Sequence, residues 1–282
     1  MARFWRRVLR HPGMAWGGLL CAGWIGAAGL SLMWTPWPTA TLDMAHRLQA
    51  PDAAHWLGTD SLGRDIASQL LTGAQSSLVV GVLAVGIGLV GGTALGLLAA
   101  ARGGWVDMAL MRACDIGFAF PVLLSALLLS ALRGPGLGTS ILAIGLFHIP
   151  VFARLARGTG RAVWARNHVL AARTAGLGPL AITRVHVLPH IAGALVVQST
   201  IAFASALLAE AALSYLGLGT QAPQPSWGRM LADAQSQLFN APQLALWPGA
   251  AIMLSVLGLN LLGDGLRDVL DPRWDGGVEL SP

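Results

Sequence analysis

Charge is almost absent from four long stretches of this chain, and that absence decides what it can fold into. No Asp, Glu, Lys or Arg occurs between Arg10 and Asp43, Asp65 and Arg102, Arg184 and Glu210, or Asp233 and Asp264. Two shorter clear runs lie between Asp115 and Arg133 and between Arg133 and Arg154. A helix needs roughly 20 apolar residues to cross a hydrocarbon core. A soluble helix keeps a wet, charged face and does not discard charge over such lengths. The expected fold class is therefore all-α, a polytopic membrane protein with six transmembrane helices. Composition agrees: 55% of residues are hydrophobic and only 11% charged.

The spans read as 14–34, 78–101, 111–132, 137–152, 191–215 and 244–266. They leave an N-terminal segment at 1–13, a polar loop at 35–77, a core membrane domain at 78–266 and a short tail at 267–282. Within the core, polar loops fall at 154–189 and 216–243, and Pro150 is expected to kink the end of the fourth span. The start, MARFWRRVLRHPG, is basic, but no small-x-small cleavage site closes the apolar run after it, so this run reads as an uncleaved helix. Cys21 and Cys114 lack CxxC spacing and read as small buried hydrophobes.

All 18 basic residues are arginine, and 14 of them fall on one side of the assigned spans. Only Arg47, Arg64, Arg133 and Arg229 fall on the other. The positive-inside rule then puts both termini and the 154–189 loop in the cytoplasm, as an even number of spans requires. The net charge of +5 does not point to nucleic acid, because the arginines flank apolar spans and form no basic stripe interleaved with aromatics.

In the 154–189 loop, NHVLAARTAGLGPLAITRVHVLP reads as a short helix at His168–Ala175, ended by Gly176 and Gly178 and followed by a second run from Leu180 to Leu188. Such a helix is either a docking knob or an amphipathic segment resting in headgroups. The segment resembles the cytoplasmic coupling loop of ABC importer permeases, whose pattern is Glu-Ala-Ala, three residues, Gly, nine residues, Ile-x-Leu-Pro. Ala171, Ala172, Gly176, Leu188 and Pro189 match at that spacing, while Leu170 replaces the Glu and His186 the Ile. Leu170, Arg173, Leu177 and Gly178 complete the expected coupling surface. Three further blocks, HWLGTDSLGRDIASQLLTGAQSSL, EAALSYLGLGTQAPQPSWGRMLADA and WPGAAIMLSVLGLNLLGDGLRDVLDPR, narrow the resemblance to the second membrane subunit of peptide/nickel permeases. The resemblance implies a homologous permease partner, two cytoplasmic ATPase subunits carrying ATP and Mg, and an external substrate-binding protein, in a bacterial inner membrane. The cargo it implies is short peptides first, nickel or a metal chelate second.

The chain has no lysine and so no Walker A loop of its own. It also lacks GxSxG and HxE signatures, so it reads as a non-catalytic subunit that binds no cofactor. A secondary transporter, the rival from another class, needs charged or broken-helix sites near midmembrane and often an internal repeat. Glu210 is the acidic residue that interrupts an apolar run, and is either a structural hydrogen-bonding group or a pathway or gate residue. Asp60, Arg64, Asp65, Ser226 and Trp227 lie in the external segments, as rim structure or as contacts for the binding protein. Asn260, Asp264 and Asp268 recur at spacing four and read as a polar face whose acids meet Arg267, Arg273 or the loop arginines. His186 and His190, with His148, lack the further ligands a metal site needs.

Overall fold

The computed structural model describes residues 12–270. The 1–11 part of the N-terminal segment, and the tail from 271 on with Arg273, lie outside the described residues. The described residues form helices joined by turns and by one long segment at 34–65, with no strand beyond one isolated bridge between Thr59 and Asp65. Ten α-helices follow in order: α1 (Pro12–Met33), α2 (Ile66–Arg102), α3 (Gly104–Ala119), α4 (Val122–Arg133), α5 (Leu137–Trp164), α6 (Asn167–Thr174), α7 (Pro179–Ile182), α8 (Leu188–Tyr215), α9 (Trp227–Ala234) and α10 (Gln243–Leu270). A π-helical turn, Thr183–Val187, joins α7 to α8 without a break.

Five of these helical runs are long and apolar enough to cross a membrane. The third expected span, 111–132, is not one helix. It is α3 and α4, bent by 84° at Phe120 and Pro121. Proline disfavours α backbone in the residue before it, and Phe120 duly sits at φ −96° and ψ 117°. The apolar run hides this break because hydropathy is the same on both sides of it. A sixth crossing therefore requires α3 and α4 to act together.

Other boundaries also moved. α2 starts at Ile66 rather than near 78, because Asp65 accepts from Ser68 N as an N-cap and Ser68, Gln69 and Ser77 are buried against the rest of the chain. α5 runs through Pro150 to Trp164 instead of ending near 152. Proline inside a membrane helix is tolerated where neighbours satisfy the freed carbonyl.

Small residues set the closest helix approach. Gly88, Gly92 and Gly96 of α2 share one face at spacing four and meet α5 directly. A Cβ at Gly92 would lie 2.6 Å from Phe152 Cβ, and one at Gly96 2.8 Å from Ala156 Cβ. α1 buries a single stripe, Met14, Gly17, Cys21, Trp24 and Ala28, against α10 and α2. It is thus a one-sided outer helix, and both cysteines are buried and free, as their sequence context indicates.

Candidate coupling and gating sites

The coupling segment is short because its ends are specified locally. Gly176 adopts φ +87°, Leu177 N donates to Ala172 O at 3.1 Å and Gly176 N donates to Arg173 O at 3.0 Å. This is a Schellman closure, which favours glycine at that position. Pro179 then opens α7 with a backbone angle already suited to a first helical turn. Helix α6 is anchored by Val169, fully buried in the main core cluster, with Ala172 half-buried beside it. Leu170, Ala171, Arg173, Gly176, Leu177 and Gly178 are all exposed, Leu170 to 45%. Leu188 and Pro189 are exposed at the start of α8, so the matched motif residues share one face of the molecule.

That face also carries a cluster the sequence did not reveal. His168 stacks on His190 with ring centroids 5.2 Å apart and lies 5.9 Å from His186. The sequence spacing joined His186 and His190 to His148 instead. His148 is buried elsewhere, its Nδ1 donating to Ile144 O at 2.7 Å and its Nε2 3.1 Å from Ser205 Oγ. His168 is held below the ordinary imidazole pKa, first by desolvation and then by the neighbouring His190, His186 and Arg166. No group of three or more ligating side chains among the described residues could hold a metal ion.

Beside α6, two acids of α3 hold α5. Asp107 takes Arg157 in a two-point pair, with Nη2 at 2.7 Å from Oδ2, and accepts from Arg161 at 3.2 Å. Asp115 pairs with Arg154 at 2.7 Å, whose guanidinium also lies 4.2 Å above the Phe118 ring. Sequence reasoning counted these arginines for orientation and missed their partners. The signal was present in Arg157 and Arg161, spaced four apart on one helical face.

At the far end of the spans, Glu210 of α8 is 1% exposed. Its Oε1 accepts from Ser214 Oγ at 2.7 Å and its Oε2 from Ser77 Oγ of α2 at 3.5 Å. Ser214 Oγ in turn accepts from Thr220 N at 3.0 Å. The carboxylate therefore ties α2, α8 and the 216–226 loop into one junction. Its geometry matches the structural alternative drawn from the sequence.

The segment between α1 and α2 folds into a lobe with Asp60 at its centre. Asp60 accepts from Leu62 N at 2.8 Å, Arg64 N at 2.9 Å, Arg64 Nε at 2.7 Å and Gln69 Nε2 at 2.9 Å. Asp65 caps α2 and sits 2.9 Å from His55 Nδ1. Arg64 reaches Asp233 of α9 at 3.2 Å. Ser226 caps α9, and Trp227 Nε1 donates to Leu70 O at 3.0 Å. Asp60, Asp65, Ser226 and Trp227 are all buried. As contacts for a binding protein these residues are thus poorly placed, since their polar atoms are committed inside the chain. They hold the lobe together and fix it to the start of α2 and to α9.

The expected polar face on α10 is only partly a face of ion pairs. Asn260 and Asp264 are exposed, and Asp264 forms no ion pair with a described arginine, while Asp268 is half-buried and has a partner.

A bundle of long apolar helices with a protruding, glycine-terminated helix at its arginine-rich end defines the permease class of membrane transport subunit. Comparison is consistent with that. The chain belongs to the family described as binding-protein-dependent transport system inner membrane component, matched over residues 92–276. It is 42% identical over 271 residues to the glutathione transport system permease protein GsiD of Pectobacterium atrosepticum, covering 96% of this chain and 90% of that one. It is 44% identical over 234 residues to the dipeptide transport system permease protein DppC of Alkalihalophilus pseudofirmus, covering 83% and 77%. In fold it resembles a chain of the MetNI methionine ABC transporter in inward-facing form, with TM-score 0.60 and 19% identity, covering 72% of this chain and 97% of that chain. The chain is thus a multi-pass membrane protein of the ABC importer permease type expected from its motifs.

Proposed function

We propose that this chain pairs with a homologous permease to form an inner-membrane path for short peptides, driven by two cytoplasmic ATPase subunits and fed by an external binding protein. Both termini and α6 face the cytoplasm in this reading, and ATP and Mg reside on the partner subunits. The observation that carries it is α6. It is rigidly closed at Gly176, anchored by one buried side chain, and otherwise presents exposed apolar and basic residues to a partner. Relatives named for dipeptide and glutathione transport favour peptide over nickel as cargo.

The test uses the complex co-purified on the tagged chain from native membrane. A Cβ at Gly176 meets nothing within 4 Å in this chain, so a large side chain there strains only the local backbone and obstructs whatever docks. Gly176→Trp is expected to abolish peptide-stimulated ATP hydrolysis while the chain still inserts and assembles with its permease partner. Normal stimulated hydrolysis in that variant, or recovery of the chain without ATPase subunits in mild detergent, overturns the coupling role.

A further inference from the structure

The arginine-rich end of the molecule carries two kinds of arginine. Arg154, Arg157 and Arg161 are paired with Asp115 and Asp107. Arg102, the last residue of α2, and Arg184, in the π-helical turn before α8, are exposed and form no ion pair among the described residues. Both line the same groove of about 580 Å³, between the end of α2 and the elbow made by α7, the π turn and α8. Apart from Thr183 beside Arg184, the remaining wall is apolar, with Leu97, Leu98 and Ala101 on one side and Leu180 and Leu188 on the other. Pockets for small molecules typically measure about 300–1,000 Å³, so the space suits a sizeable ligand.

We propose that this groove binds one anionic phospholipid, with its phosphate on Arg102 and Arg184 and an acyl chain along the leucine wall. Three observations select that occupant. The groove lies where α2 leaves its charge-free run and meets its first arginine, the level at which hydrocarbon gives way to headgroups. Trp105, one turn beyond, is 75% exposed, as an interfacial aromatic is. Guanidinium groups bind phosphate through forked hydrogen bonds, and two unpaired ones beside an apolar trough match a molecule with one charged and one greasy end. A protein surface would need acidic and apolar groups in the same order, and becomes the competing outcome of the test.

The complex is purified on the tagged chain and placed in nanodiscs of equal palmitoyl-oleoyl phosphatidylglycerol and phosphatidylcholine. Lipid retained after mild delipidation is then read by native mass spectrometry. Wild type is expected to retain phosphatidylglycerol preferentially. Arg102→Gln with Arg184→Gln should lower that preference roughly tenfold. Ala94→Trp, which fills the apolar wall without touching either arginine, should remove the retained lipid, with an unchanged elution profile as the folding control. Equal preference in wild type and the double arginine variant overturns the proposal. So does retention that survives Ala94→Trp, or efficient crosslinking to another subunit of a photoreactive benzophenone placed on Leu98→Cys. The readout is bound lipid rather than transport, so it stands apart from the import function proposed above.

Discussion

Asp60, at one end of the spans, accepts four hydrogen bonds from its own lobe and the start of α2. At the other end, Val169 alone of the eight residues of α6 is buried. Both regions lie in stretches that are polar loops by composition, yet one uses its polar groups internally and the other leaves its surface exposed. Buried polar groups are expensive when their partners are removed, whereas exposed ones contribute little to folding. The difference teaches that the lobe is frame and α6 is interface, so damage to each should appear in a different assay.

Asp60→Ala should have the largest effect on stability. It removes the acceptor of Gln69 and of the Leu62 and Arg64 amides and one of the two acids that hold the Arg64 side chain, and should cost about 1–3 kcal/mol, seen as a clearly lower unfolding temperature in detergent. An unchanged transition would remove the lobe from the frame. Leu170→Ser is the converse. Leu170 is 45% exposed, so unfolding should shift by no more than about 0.5 kcal/mol while stimulated ATP hydrolysis of the assembled complex falls severalfold. A large loss of thermal stability would show that α6 is held more firmly than its contacts indicate.

The smallest effect concerns pH. The His168 pKa is lowered in the folded chain from its ordinary 6.5, so the open form of α6 binds more protons as pH falls through that value. Seating of α6 should therefore weaken below about pH 6.5, where charge on His168 meets His186, His190 and Arg166. Hydrogen exchange across 167–174, corrected for intrinsic rate, should show protection falling in wild type and not in His168→Gln.

The contrast also explains what the sequence made legible. The α6 helix was placed within one residue, Asn167–Thr174 against the expected His168–Ala175, because Gly176 and Pro179 act on their immediate neighbours. The spans were visible because charge exclusion is itself local. The bend at Pro121 was obscured by uniform hydropathy. Of the partners of Glu210, Ser214 stands one helical turn on, but Ser77 was not legible, since it lies 133 residues away and only the packing of α2 on α8 brings it near. The same holds for His168, whose neighbours come from the π-helical turn and the start of α8. The presence of the spans and the ends of α6 were readable; the start of α2, the end of α5 and long-range pairing were not.

The length of α2 carries a mechanical consequence. It is one unbroken helix of 37 residues, pinned to α5 around Gly92 far from its midpoint. At about 1.5 Å per residue, roughly 39 Å of rod lies on the lobe side of that contact and roughly 15 Å on the arginine side. The longer arm is held to α8 by Ser77 and Glu210, to α9 by Leu70 and Trp227 and to α1 by Ala74 and Trp24, so α2 joins the Asp60 lobe and the arginine-rich end through one packed rod.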